Sequence, residues 1–247
     1  MTAPPLPATP LPLPSAPPAR PRRPILGFFL DVLLAAVVLL AVSVLSGLVW
    51  GVIRGFQLAM ELKAQGVPSG RLAALATQQV GQPGALAQLL IALVSTLSAA
   101  LLLYFLRRPA SAAERRASWQ AARTPSTWGW VLLVAVGVFI GSTAISALAA
   151  QIGIEPVPTN LPLMQEAMVQ MPLFLCVFAI AIAPAYEELL FRRVLFGRLW
   201  EAGWPRLGML LSGAAFALVH EVPGTTGNSL AATAQLWLVY GGMGAAF

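Results

Sequence analysis

The chain has 247 residues, 58% of them hydrophobic and only 10% charged, with a net charge of +6. A soluble domain carries about 25% charged residues, so an ordinary soluble domain is excluded and most of this chain belongs in lipid. The lone Cys176 excludes an intramolecular disulfide and a cysteine zinc site, and in a membrane protein the arginine excess reports topology, not a nucleic-acid partner.

Residues 1 to 24 hold 10 of the 21 prolines and end in Arg20, Arg22 and Arg23. No apolar stretch precedes the arginines, so the segment reads as an extended, disordered cytoplasmic tail and not as a cleavable signal. Ile25 to Ile53 is the first predicted span, uncharged except for Asp31. Gly47, Gly51 and Gly55 form a stripe that would let a neighbouring helix approach closely. Phe56 to Gln82, with Glu61, Lys63 and Arg71, reads as a loop holding a short amphipathic helix. Pro83 to Leu106 is the second span. Trp128 and Trp130 form an interfacial belt before the third, which ends near Ala150.

Arginine asymmetry predicts the orientation. The N-terminal tail and the loop after the second span (Arg107, Arg108, Arg115, Arg116 and Arg123 against Glu114) are the most basic segments, and two crossings separate them. Both are therefore expected on the cytoplasmic side. Gln151 to Gln170 has no Lys or Arg, as an outer loop should. The fourth span is expected over Met171 to Leu190, a fifth helix over Leu207 to His220, and a sixth from Ser229, still running when the chain stops at Phe247. The fold class is thus all-α: a polytopic transmembrane bundle of about six helices with the last one incomplete. Residues 25–165 form its N-terminal part and 166–247 a distinct core. The weight of Ala, Leu, Pro and Arg suggests a bacterial source, hence an inner (plasma) membrane.

The most informative stretch is Ala183 to Arg193. It places Glu187, Glu188, Arg192 and Arg193 after the uncharged run Met171 to Ile182. Ionisable groups deep in an apolar segment are costly and usually face a polar interior. Glu188 and Arg192 stand at i and i+4, acid first, the better orientation for a pair. Glu187 points about 100° away and stays free for other work. Pro184 removes one backbone donor and is expected to kink the helix. The competing reading is a headgroup anchor at a helix end. His220, the only histidine, follows Glu187 by 33 residues and Phe216 by four. Two helices could bring Glu187 and His220 to one cavity, where a carboxylate takes a proton from water beside an imidazole. Alternatively His220 is a helix-end residue at the interface.

The motifs EExxxR (Glu187, Glu188, Arg192) and FxxxH (Phe216, His220), on consecutive membrane helices, resemble those of the CPBP intramembrane proteases. That family includes the type II CAAX prenyl endopeptidases and bacteriocin-processing or immunity proteins. The resemblance covers about Met171 to Phe247. It implies an endopeptidase acting on a membrane-associated peptide or protein, with Glu187 as catalytic carboxylate, Glu188 and Arg192 as its support, and His220 sharing the water or a metal. Zinc is the implied ion, with Glu187 and His220 as ligands. The family's third motif, a second His with Asn or Asp four residues on, is not in this chain, which implies truncation and an inactive or nearly inactive polypeptide as given. A non-catalytic scaffold or immunity protein of the same fold is the alternative reading, and a proton-coupled transporter is a weaker one. The fifth helix poses a geometric difficulty. With the fourth span ending near Leu190, Glu187 lies near the cytoplasmic face while His220 lies about 21 Å above it.

Overall fold

The computed structural model describes residues 23–246, whose regular elements are all helices, with no strand among the described residues. The proline-rich tail expected over residues 1–24 falls, up to residue 22, outside the described residues. The helices are α1 (Pro24–Ala64), α2 (Ser69–Gln79), α3 (Ala85–Arg107), α4 (Ala112–Ala122), α5 (Pro125–Gln151), α6 (Leu161–Gln170), α7 (Pro172–Glu201), α8 (Pro205–His220) and α9 (Leu230–Ala246). Proline stands in the first turn of α1, α5, α6, α7 and α8, where its missing donor costs nothing and its fixed φ suits a helix start. Ser111 caps α4 in a reciprocal capping box with Glu114.

Four helices, α1, α3, α5 and α7, are long and apolar enough to cross a membrane. Their outward sides are lined with exposed Leu, Val, Ile and Phe, as expected where the solvent is hydrocarbon. The protein is an integral membrane protein. α8, with 16 residues, and the 17 described residues of α9 follow α7 as a further pair of helices. They pair as a hairpin inside the bundle. The first span is longer than expected: α1 has 41 residues, about 60 Å. Its far end packs Leu58 and Leu62 against Ala76 of α2. Of the stripe Gly47, Gly51 and Gly55, a Cβ at the first two would meet no atom within 4 Å, and one at Gly55 would meet Val80 at 3.7 Å. Gly213 instead makes the close approach: a Cβ there would stand 2.7 Å from the Gly241 carbonyl oxygen of α9.

The core is a layer of α1, α3 and α7 around Phe28, Ala35, Ala100, Leu103, Leu190, Phe191, Val194, Leu195 and Leu199. α8 packs on α7, α9 on α8, and α5 against α9. The three core helices are also locked by charge. Asp31 of α1 is fully buried and accepts from Arg107 Nε of α3 at 2.7 Å and from Arg198 Nε of α7 at 2.6 Å. Arg198 also lies close over Gly27, where a Cβ would stand 2.7 Å from the guanidinium and oblige it to shift.

The fourth span also departs from expectation. α7 does not end at Leu190 but continues to Glu201. Pro184, expected to kink the helix, lies within it. The helix takes π geometry over Phe178–Ile182, just before the proline, and again over Glu188–Phe196, where the Gly197 N–H bonds the Arg192 carbonyl five residues back. Such i→i+5 turns are uncommon and concentrate at functional sites. Arg192 and Arg193 therefore lie within a helix and not after one.

Arg193 joins α7 to the α3–α4 turn. It donates to both Glu114 carboxylate oxygens, at 2.6 and 3.1 Å, and to the Arg108 carbonyl, while Arg108 donates to the Arg193 carbonyl and pairs with Glu201. The hydrogen bonds from Arg193 and from Ser111 hold the Glu114 carboxyl down at about 2. A depressed carboxylate stabilises the fold above its unfolded value and loses that contribution as pH falls through the folded one. The latch should thus be intact above about pH 4.5 and weaken from there towards pH 2. Thermal unfolding in detergent at pH 6 and pH 3 tests this: wild type should lose more stability on acidification than Glu114→Gln. Equal losses would refute the latch.

Candidate active site

The longer α7 removes the difficulty of depth. Glu187 precedes the end of α7 (Glu201) by 14 residues and His220 follows the start of α8 (Pro205) by 15. The two helices form an antiparallel hairpin through a tight turn at 202–204, with Gly203 at φ 84°. Both residues consequently stand about 21–22 Å from that turn, at one level. α3 gives an independent ruler. Thr96 shares a cavity with both residues and lies 11 residues from either end of α3, about 16 Å. The level is the middle of a spanning helix.

His220 Nε2 and Glu187 Oε1 are 3.7 Å apart, with side chains 24% and 23% exposed. That is longer than a hydrogen bond and leaves both atoms available to a third partner. His220 Nδ1 is 2.8 Å from the Phe216 carbonyl oxygen. A carbonyl only accepts, so Nδ1 carries a proton, and Nε2 is the ring nitrogen that faces Glu187. The i→i+4 spacing of FxxxH provides that bond. It also stacks the Phe216 ring on the imidazole at 4.1 Å between centroids, and Tyr240 of α9 covers His220 at 5.1 Å. Phe191 meets Phe216 edge-on. The imidazole is thus held by one hydrogen bond and two aromatic rings.

Glu188 turns away from this pair, towards Arg192 Nε at 3.9 Å. Its side chain is more than half exposed while that of Arg192 is mostly buried, and Arg192 Nε is buried with no hydrogen-bond partner among the described residues. Two cavities meet at Glu187. One, about 300 Å³, is lined by Pro184, Glu187, Glu188, Phe191, Arg192, Phe216 and Met243. The other, about 180 Å³, opens on the α1 and α3 side of the pair.

Residues that sequence reasoning passed over also bear on the site. Tyr240 and Thr96 carry no local signal, being a tyrosine and a threonine in apolar helices. Glu221, next to His220, is fully buried and accepts from Thr159 N–H (3.0 Å), Thr159 Oγ1 (2.6 Å), Thr226 Oγ1 (3.0 Å) and Asn228 Nδ2 (3.1 Å). These bonds satisfy a carboxylate that has no access to water. Its backbone carbonyl accepts from Trp237 of α9, so the end of α8 that bears His220 is tied to two loops and a helix.

The pair offers one nitrogen and one carboxylate to an ion. Among the described residues no third His, Cys, Asp or Glu joins them, whereas a catalytic zinc takes three protein ligands. The described residues supply two of those three, and the chemistry proposed below is built on Glu187 and water.

Residues 169–247 match the family model described as type II CAAX prenyl endopeptidase Rce1-like. No curated protein matches the chain, and no solved structure does. The matched segment contains all of α7, α8 and α9 with Glu187, Glu188, Arg192 and His220, so it is this part of the chain that is similar to the type II CAAX prenyl endopeptidases.

Proposed function

We propose that the protein is an intramembrane endopeptidase hydrolysing a peptide bond of a membrane-associated protein or peptide. The observation that carries this reading is the 3.7 Å approach of Glu187 Oε1 and His220 Nε2, from consecutive helices, at mid-membrane depth and between two cavities. A carboxylate and an imidazole nitrogen set this close, neither bonded to the other, are disposed to share a water. Glu187 takes one proton of that water as its oxygen bonds the scissile carbonyl carbon. The C–N bond then breaks, and the proton passes from Glu187 to the leaving amine. His220, its ring fixed through Nδ1–H, accepts the water's second hydrogen at Nε2 and orients the nucleophile. Arg192 and Glu188 line the larger cavity, where the peptide would lie.

The test is cleavage of a membrane-anchored peptide by the protein, expressed from its complete reading frame and reconstituted in liposomes, with products identified by mass. A single new amide cleavage that disappears in Glu187→Gln supports the reading, and unaltered peptide defeats it. A scaffold or immunity protein of the same fold would leave every peptide intact.

The orientation belongs to the same proposal. The N-terminus of α1, the end of α3, α4 and the end of α7 gather Arg107, Arg108, Arg115, Arg116, Arg123, Arg193 and Arg198 on one side, which supports a cytoplasmic N-terminus in a bacterial inner membrane. A reporter fused after Arg116 should read as cytoplasmic and one after Pro158 as external. The reverse pattern would invert the side from which substrate enters.

A further inference from the structure

Glu187 and His220 are each reached from a second side. The cavity there is lined by Leu39 of α1, Thr96 of α3, Tyr186, Glu187, Leu190 and Phe191 of α7, and Val219 and His220 of α8. Four of its lining residues carry polar side chains: Thr96 of α3, and Tyr186, Glu187 and His220 of the α7–α8 hairpin. The neighbouring Ser95 hydroxyl is engaged elsewhere, donating to the Ile91 carbonyl at 2.6 Å and accepting from Ser43 at 2.9 Å, whereas Thr96 stands in the cavity wall. An enclosed space holds water when it is roomy and offers each molecule two to four polar partners. At about 180 Å³ this space has room for up to about six waters. The larger cavity on the opposite side has a different lining, with Glu188, Arg192 and Met243, and only Glu187 and Phe191 belong to both.

Resting on the peptidase reading above, we infer that the two cavities divide the reaction. The larger one receives the peptide. The smaller one is the water compartment from which the nucleophile is drawn, and Thr96 is a positioning residue that holds that water against Glu187 and His220. The division follows from the lining. A carboxylate that forms the common wall of a polar pocket and a peptide cleft can take a proton from one side while the hydroxide it generates faces the carbonyl on the other. A hydroxyl supplied by α3 adds a partner from outside the hairpin, so the water is fixed by three helices' groups and not by the pair alone. No other reactant is needed: the water's oxygen goes to the new carboxylate and its hydrogens to that carboxyl group and the released amine.

Two measurements test this independently. In the liposome assay, Thr96→Val keeps the side chain's shape and removes the hydroxyl. It should lower kcat about tenfold, the worth of one hydrogen bond, with KM unchanged within about twofold, and Thr96→Ser should restore most of the rate. A Thr96→Val enzyme with wild-type kcat, or one whose loss lies wholly in KM, overturns the assignment. The second measurement does not need activity. His220 is the only histidine of these 247 residues, so ¹⁵N-histidine labelling of this polypeptide gives a single ring in its solid-state NMR spectrum in bilayers. Magnetisation should pass rapidly from water to that ring and more slowly in Thr96→Val. A ring that receives none is dry, and the compartment does not exist. If Glu187→Gln cleaves like wild type while the ring is wet, the peptidase reading fails and the hydrated cavity stands.

Discussion

Glu187→Gln should lower peptide cleavage by about 10²–10⁴-fold, the usual worth of a general base, with the protein still inserted and folded. Gln fills the same space and leaves the α7–α8 contacts in place, so the loss falls on chemistry and appears in kcat. Glu188→Gln should act differently. Glu188 faces Arg192 at 3.9 Å and is more than half exposed, so its substitution removes a loosely held partner and leaves the water untouched. Removing Arg192 should reduce the amount of folded protein, because its guanidinium is mostly buried and lines two adjoining cavities. The ordering Glu187→Gln inactive and folded, Arg192→Ala poorly folded, Glu188→Gln mildly affected is the signature of the proposed division of roles. Equal activity of Glu187→Gln and wild type, in liposomes with matched protein amounts, would remove Glu187 from the mechanism.

What the sequence made legible follows from how far each interaction reaches along the chain. The all-helical class and the membrane setting are written in composition. EExxxR and FxxxH are also local, since i→i+4 spacing sets both the Glu188–Arg192 approach and the Phe216–His220 stack. The end of α7 was misread because Arg192, Arg193 and Arg198 look like a stop after an apolar run. Two of them have partners far away in sequence: Arg193 meets Glu114, 79 residues off, and Arg198 meets Asp31, 167 residues off. With those charges neutralised the helix continues, and only then do Glu187 and His220 reach the same level. The glycine stripe of α1 failed for a related reason. A small-residue face permits close packing but does not supply the neighbour. Thr96, Tyr240 and Glu221 gain their places from tertiary contacts alone.

Substituting Asp31 should have the largest effect on stability. Its carboxylate is fully buried, with Arg107 at 2.7 Å and Arg198 at 2.5–2.6 Å, and it joins α1, α3 and α7, the helices on which the site rests. Breaking a buried ion pair by removing one partner costs about 3–5 kcal/mol, mainly because the surviving charge is left uncompensated. The two arginines do not share that cost equally. Arg107 is 37% exposed and can turn to water or headgroups, while Arg198 is only 14% exposed, wedged against Gly27. Asp31→Asn should therefore unfold the protein at much lower temperature or denaturant, and Arg107→Gln should cost less than Arg198→Gln. The decisive comparison is a double substitution. If the penalty of Asp31→Asn is the stranded Arg198 charge, then Arg198→Met in the same chain should recover a substantial part of the loss, since apolar replacement of a whole buried pair is often nearly neutral. The coupling, read from a double-mutant cycle of unfolding midpoints, should be large and favourable to the pair. Additive losses would mean that Asp31 acts through packing alone, and the three-helix charge lock would have to be abandoned.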